Sequence, residues 1–337
     1  SKRSTPGKMT VLLNSVLKAP GQKASIPHSP TPQPSSAPRI EDFRFLKALS
    51  KGAYGSVFLA RNRTTGDLYA IKAIRKTQSQ RKNTVSHALT ERRILSLVRS
   101  PWVIGLYFAF QSDAFLFLVM EYAVGGDLGG LLRVYRRLPT PMVRFYAAEL
   151  VAAVDLLHSN GIIHHDLKPE NVLIGADGHI KLIDLGLAKM QSATPRLSPS
   201  SPPKRQTATY TDAAPLGTPD YMAPEIVRGE QYDRSVDLWA LGCVLVELAT
   251  GIPPFHAASP EAIFARILAG EWRQSSAALD IDDDLLSLCR DLLNPDPGKR
   301  PSIEDIKDHR FFEGIDWSSL RETLVPPFIP RPASDDD

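Results

Sequence analysis

The chain has 337 residues, 43% of them hydrophobic, which is enough for one large domain or two lobes around a cleft, each with a buried core. Its 40 Lys and Arg against 37 Asp and Glu leave a net charge of +3, too small and too dispersed to mark a nucleic-acid face. The two cysteines, Cys243 and Cys289, exclude a disulfide framework and a Cys-rich metal site and fit a reducing compartment. No run approaches the ~18 consecutive apolar residues of a membrane span.

Residues 1–42 read as a leader. Lys2, Arg3, Lys8, Lys18, Lys23 and Arg39 occur there with no acidic residue before Glu41, a bias that resembles an organelle transit peptide. Six prolines between Pro20 and Pro38, and a start at Ser1, favour instead a disordered leader on an excised fragment, so the expected location is cytoplasmic or nuclear. From Phe43 the pattern becomes short β-type runs: Phe43 to Leu49, Val57 to Arg61, Leu68 to Ile74, Gly105 to Gln111 and Phe115 to Met120. One helical stretch, Val85 to Leu97, interrupts them, with Ala88, Ile94, Leu95 and Val98 near one face.

After Gly125-Gly126 the chain turns helical. A helix is predicted over Pro141 to Ser159, with Thr140 placed to cap it, Gly161 to end it, and Val143, Tyr146, Leu150, Val154 and Leu157 facing a core. A second, Ser235 to Thr250, is apolar almost all round and stops at Gly251, so it should be buried. A third carries Leu285 to Leu293, begins at the acidic run Asp282 to Asp284, and ends before Pro295 and Pro297. There is no internal repeat. Between Lys189 and Thr218 the texture shifts to Ser, Pro and Thr, too poor in apolar residues to offset ordering entropy, and a mobile loop is expected.

Three motifs carry chemistry. Ser50-Lys51-Gly52-Ala53-Tyr54-Gly55-Ser56-Val57 lies between two strand-like runs, where glycines let backbone amides close over phosphates. Ala70-Ile71-Lys72 puts a lysine in an apolar strand, costly unless the lysine is paired. His164-His165-Asp166-Leu167-Lys168-Pro169-Glu170-Asn171, then Asp184-Leu185-Gly186, sets one carboxylate beside a lysine and an amide and a second beside a glycine, a layout suited to holding a hydroxyl next to a metal-bound phosphate.

This ordered set resembles the eukaryotic protein-kinase family over roughly residues 43–330, and within it a serine/threonine kinase of the AGC class, nearest the MAST and Greatwall-like branch. The resemblance implies an α+β, bilobal kinase fold. A small β-rich N-lobe with one main helix would span about 43–122, and a larger, mostly helical C-lobe about 123–312, with a long activation segment over 184–225 and a truncated AGC-type tail over 313–337. It implies transfer of the γ-phosphate of ATP, with Mg²⁺ or Mn²⁺, to Ser or Thr hydroxyls of protein substrates, in cell-cycle or nutrient and stress signalling.

By that resemblance Asp166 accepts or orients the substrate hydroxyl, Lys168 neutralises the moving phosphoryl group, and Lys72 pairs with Glu91, 19 residues on. Asn171 and Asp184 bind metal. Leu49, Gly52, Gly55, Val57 and Ala70 close over the nucleotide, with Leu173 below it, Met120 as gatekeeper and Glu121 to Ala123 as hinge; Asp127 and Glu170 also fall at nucleotide-proximal positions. Asp127, Glu170 and Glu247 match acidic positions that read basic residues before the target. Thr218 reaches Asp166 and Lys168, Glu225 pairs with Arg300, and Asp237 braces the catalytic loop. Leu95, Leu106, His164 and Leu185 would stack as a spine.

Departures from the family pattern qualify the match. Ser50 replaces the first loop glycine, Leu185 the usual phenylalanine and His165 the usual arginine; a neutral histidine is a weaker phosphate partner. Ala214 stands where many AGC kinases carry a phosphothreonine, leaving Thr207, Thr209, Thr211 and the proline-directed Thr194, Ser198 and Ser201 as candidate phosphosites for an upstream kinase. The run Asp316 to Pro330 resembles the start of the AGC tail that wraps onto the small lobe, and a hydrophobic-motif segment is expected to dock beside the Glu91 helix. No nucleic-acid or membrane partner is expected. The rival reading is a pseudokinase scaffold, against which stands the retention of Lys72, Glu91, Asp166, Lys168, Asn171 and Asp184.

Overall fold

The computed structural model describes residues 38–52, 55–76, 82–190, 217–272 and 281–330. The leader up to residue 37, Ala53 and Tyr54 of the glycine loop, the candidate phosphosites from Thr194 to Thr211, and Ala214 lie outside them. The architecture is α+β, a sheet-built lobe and a helical lobe, in two compact units. Among the described residues, one comprises Pro38 to Arg99 with Ile104–Tyr122; the other comprises Ser100–Val103 and the residues from Ala123 to Pro330.

The N-terminal unit is an antiparallel sheet of β1 (Phe43–Gly52), β2 (Gly55–Asn62), β3 (Leu68–Arg75), β4 (Leu106–Gln111) and β5 (Phe115–Glu121), in the order β1-β2-β3-β5-β4. Alternation along these strands sorts the side chains. Ile71 is the cross-strand partner of both Phe58 and Val119, and the three join Phe43, Phe115 and Phe117 in an aromatic-rich core on one face. Val57, Lys72 and Leu118 are partners in the next row, and Ala70 pairs with Met120, so all five take the opposite face. Helix α1 (Lys82–Leu97) buries Ala88, Ile94 and Leu95, the stripe its sequence shows.

The C-terminal unit contains α2 (Leu128–Tyr135), α3 (Thr140–Ser159), the short strand β6 (Ile162–Ile163), the hairpin β7 (Val172–Ile174) and β8 (Ile180–Leu182), and β9 (Lys189–Met190) paired with β6. Beyond the activation segment come α4 (Pro224–Val227), α5 (Ser235–Thr250), α6 (Pro260–Ala269), α7 (Asp283–Leu292), α8 (Ile303–Lys307) and α9 (Leu320–Thr323). Helix α5 is buried almost throughout; it packs on α3 and α7, and its Trp239 stacks on Phe255 at 5.2 Å between centroids. Each such large side chain contributes roughly 1.5–3 kcal/mol by leaving water. Asp282 caps α7, accepting from the amides of Asp284 and Leu285.

One expectation needs correction. Thr140 does not cap α3 but is its first residue: Pro139 precedes it in extended conformation (φ −60°, ψ 147°) and, having no N–H to offer, marks the boundary itself. The run Asp316 to Pro330, which resembles the start of the tail, packs in its described part on the C-terminal unit, where Pro326 and Phe328 lie against Gly178 and Pro330 against Gly125. Among the described residues no helix is long and apolar enough to cross a membrane.

Candidate active-site residues

The site residues divide between the two units. In the N-terminal unit, β3 carries Lys72 inward from the sheet, and its Nζ donates to Glu91 Oε2 of α1 at 2.7 Å, with the residues only 8% and 2% exposed. A strand lysine so deeply placed is tolerable because the helix brings a carboxylate to it. Around it on the same sheet face lie Val57, Ala70 and Met120, the last two buried, which makes an apolar surface with one cation at its edge. Leu49 falls in a register shift between Ala48 and Ser50 and stays half exposed. Gly52 pairs with Gly55 where β1 turns into β2; Gly55 has φ +150°, and a Cβ on it would lie 2.8 Å from the carbonyl oxygen of Ala73, so only glycine lets the hairpin close this tightly on β3. Glu121 ends β5, its amide bonded to Gly105 O at 2.9 Å.

In the C-terminal unit, hydrogen bonds converge on Asp166. Its Oδ1 accepts from the amide (3.1 Å) and hydroxyl (2.8 Å) of Thr218, and its Oδ2 from Lys168 Nζ (2.8 Å) and Asn171 Nδ2 (3.0 Å). Lys168 also donates to Thr218 Oγ1 at 2.7 Å, so lysine, threonine and aspartate form a closed ring. The loop bearing them hangs on Asp237 of α5, whose carboxylate accepts from the amides of His164 (2.8 Å) and His165 (3.0 Å) and binds His158 Nε2 (2.9 Å). Burial pushes the Asp237 carboxyl up, but the bond and charge from His158, with His165 and His164, outweigh it and hold the group below the usual carboxylate range.

Asn171 spends its amide nitrogen on Asp166, leaving its oxygen as the atom suited to a cation. Asp184 sits in the left-handed region (φ 59°, ψ 58°), a conformation that aspartate tolerates better than most residues. Among the described residues no group of three or more His, Cys, Asp or Glu could hold a metal ion by itself. One carboxylate plus one amide oxygen, and no protein cage, is the donor set of a Mg²⁺ or Mn²⁺ ion that completes its shell with phosphate and water, so these residues fit that group.

His165 also has positive φ (68°); its imidazole is buried, with Nδ1 3.0 Å from Leu187 O and its ring edge-on to Tyr232 at 5.2 Å. Burial lowers its pKa, against the pull of Asp237 and the Leu187 carbonyl, so it is neutral at pH 7. Leu185, His164 and, in the other unit, Leu95 are buried, and Leu106 lies partly exposed.

Asp127 caps α2, accepting from Gly130 N at 2.7 Å, and bridges to Leu173; Gly129 lies against both Asp127 and the exposed Glu170. Ala123 is buried. Glu247 of α5 accepts from Tyr221 Oη at 2.5 Å, and its carboxyl is pushed up to about 7 by burial, over the opposing bond from Tyr221. Glu225, at the end of the activation segment, forms a two-pronged pair with Arg300 (2.6 and 2.8 Å). Sequence reasoning missed the Tyr221–Glu247 bond, the buried Glu149–His179 pair and the tail's Arg321, because none has a local pattern.

A protein kinase domain model matches residues 43–312. "Probable serine/threonine protein kinase IRE4" of Arabidopsis thaliana is 41% identical over 314 residues, 88% of this chain and 30% of that protein. Human "Serine/threonine-protein kinase Sgk2" is 38% identical over 322 residues, 90% of this chain and 83% of the relative, and the "RAC family serine/threonine-protein kinase homolog" of Dictyostelium discoideum is 36% identical over 304 residues, covering 89% and 64%. The chain belongs to the protein kinase domain family. It spans under a third of the length of the Arabidopsis relatives it matches.

Proposed function

We propose that the chain transfers the γ-phosphate of ATP to serine or threonine hydroxyls of proteins. The observation that carries this reading is the Asp166–Lys168–Thr218 ring: a carboxylate held by donors on both oxygens, with an ammonium 2.8 Å away, can orient a hydroxyl while positive charge meets the phosphoryl group. Lys72, fixed by Glu91 beside the apolar face of Val57, Ala70 and Met120, is suited to hold nucleotide phosphate with the adenine against that face. Asn171 and Asp184 would hold Mg²⁺ or Mn²⁺, which when bound neutralises phosphate charge. Asp237 keeps the loop carrying Asp166 in place through its bonds to the His164 and His165 amides.

Named relatives such as Sgk2 and the RAC homologue support an AGC-type kinase. Within that class we favour the MAST and Greatwall-like branch, with a role in cell-cycle or nutrient and stress signalling, on the 42 residues from Asp184 to Glu225 and on the replacement of the usual arginine by His165. The buried free thiols of Cys243 and Cys289 accord with a cytoplasmic or nuclear site of action, and the Ser/Thr-Pro pairs with an upstream proline-directed kinase. The test is γ-phosphate transfer to a generic protein substrate by the chain and by Asp166→Ala. A loss of about a hundredfold or more is expected in the variant; equal rates end the reading and leave a scaffold.

A further inference from the structure

The two metal-holding residues are joined by one small hairpin. Asn171 immediately precedes β7, Asp184 follows β8 by two residues, and at the base Ile183 N donates to Asn171 O at 3.0 Å. A three-residue strand pair is too short to fix its own geometry, so whatever grips it sets where the two oxygen ligands point. One grip comes from α3: Glu149, wholly buried, accepts from Ile180 N at 2.9 Å and binds His179 Nδ1 at the hairpin turn.

The second grip comes from the tail. Arg321 of α9 pairs with Asp177 in the hairpin turn, donates to Pro101 O at 3.5 Å, and lays its guanidinium 5.2 Å over the ring of Trp102. Trp102 in turn accepts from Leu182 N of β8 at 2.8 Å, and Val103 bridges to Leu182. Further along, the tail closes on the turn itself: at Gly178 (φ +84°) a Cβ would lie 2.5 Å from Phe328 O and 2.6 Å from Pro326 Cβ. An exposed ion pair contributes little by itself, and Asp177 is half exposed. The arginine matters because its stacking and its second bond tie the turn to the segment that holds β8.

We propose that Arg321 is a positioning residue for the metal ligands, acting through Asp177 and Trp102 on the β7–β8 hairpin, so that the tail sets the affinity for the divalent ion. This rests on the kinase reading's assignment of Asn171 and Asp184. Partners lying behind metal ligands are worth roughly 10–100-fold in metal affinity when removed, and Arg321 stands one step further out, so the expected loss is on the order of fivefold.

The experiment uses the full chain with Mn²⁺ and a non-hydrolysable ATP analogue. Mn²⁺ binding is followed by its paramagnetic resonance signal, and protection of the Leu182 and Ile183 amides by hydrogen exchange. Arg321→Ala should weaken Mn²⁺ binding about fivefold and speed exchange at both amides, and Arg321→Lys, which keeps the charge but not the stacked plane, should fall between. Arg321→Glu with Asp177→Arg should recover part of the loss. Lys307→Ala, which breaks another surface pair between the same end of the chain and Asp155 of α3, is the control and should leave Mn²⁺ binding unchanged. Unchanged Mn²⁺ affinity in Arg321→Ala overturns the proposal while leaving phosphoryl transfer intact. So does an equal loss in Lys307→Ala, which would mark general destabilisation. Failure of the unsubstituted chain to bind Mn²⁺ with nucleotide overturns this proposal and the metal assignment together.

Discussion

Replacing Arg300 by alanine isolates the anchor of the activation segment. The guanidinium is fully buried; besides its two bonds to Glu225 it donates to Ser235 O and Asn294 O, each at 3.0 Å, and it lies 5.1 Å over the Trp239 ring. Its removal strands a carboxylate that is 1% exposed, together with both carbonyls. Breaking one side of a buried pair costs about 3–5 kcal/mol, because the remaining charge has neither partner nor water. At roughly 2–4 °C per kcal/mol for a unit of this size, Tm should fall by on the order of 10 °C. The double variant Arg300→Met/Glu225→Leu removes the orphaned charge and should recover at least half of that loss. Thermal unfolding by circular dichroism reads all three. A shift under about 2 °C for Arg300→Ala, or a double variant as unstable as the single one, refutes the argument that the desolvated carboxylate sets the cost.

Two of the perturbed groups near the site, Glu247 and His165, respond to pH in opposite directions. Glu247 has its folded-state carboxyl raised from an ordinary 4.5 to about 7, so the stability it contributes is complete below pH 4.5 and is lost as pH rises through about 7. Glu247→Gln should therefore flatten the fall in Tm between those values, and an unaltered Tm-against-pH curve counts against the assignment. The lowered pKa of His165 gives the reverse sign: its contribution is present above the ordinary 6.5 and lost as pH falls through the folded value. His165→Arg puts a permanent charge in a pocket built for a neutral ring. Its activity should depend more strongly on activation-segment phosphate, read as the ratio before and after phosphatase treatment; an unchanged ratio defeats the reasoning.

How far the site could be read in advance depended on the range of each interaction. The pairing of Lys72 with Glu91 is legible only through the family resemblance, although the strand and the helix that carry them each show their periodicity locally. Asp166, Lys168 and Asn171 lie within one loop. Thr140 is of a residue type that suits capping, yet the boundary falls at the preceding Pro139, whose backbone is extended. Leu49 gave no sign that it would occupy a register shift, which depends on how β1 pairs with β2. Arg321 lies 144 residues from Asp177, and Glu149 lies 30 from His179; neither leaves a trace at helical or strand spacing. The grips on the hairpin arise only when tail and α3 come together around it.

The left-handed backbone at Asp184 bears on how this loop can be altered. A β-branched residue there would meet a steric penalty before any question of catalysis arose, whereas asparagine, which enters that conformation about as readily as aspartate, would preserve the chain path while removing the formal charge and turning one acceptor oxygen into a donor amide. Position 184 is thus a place where shape and electrostatics can be varied one at a time.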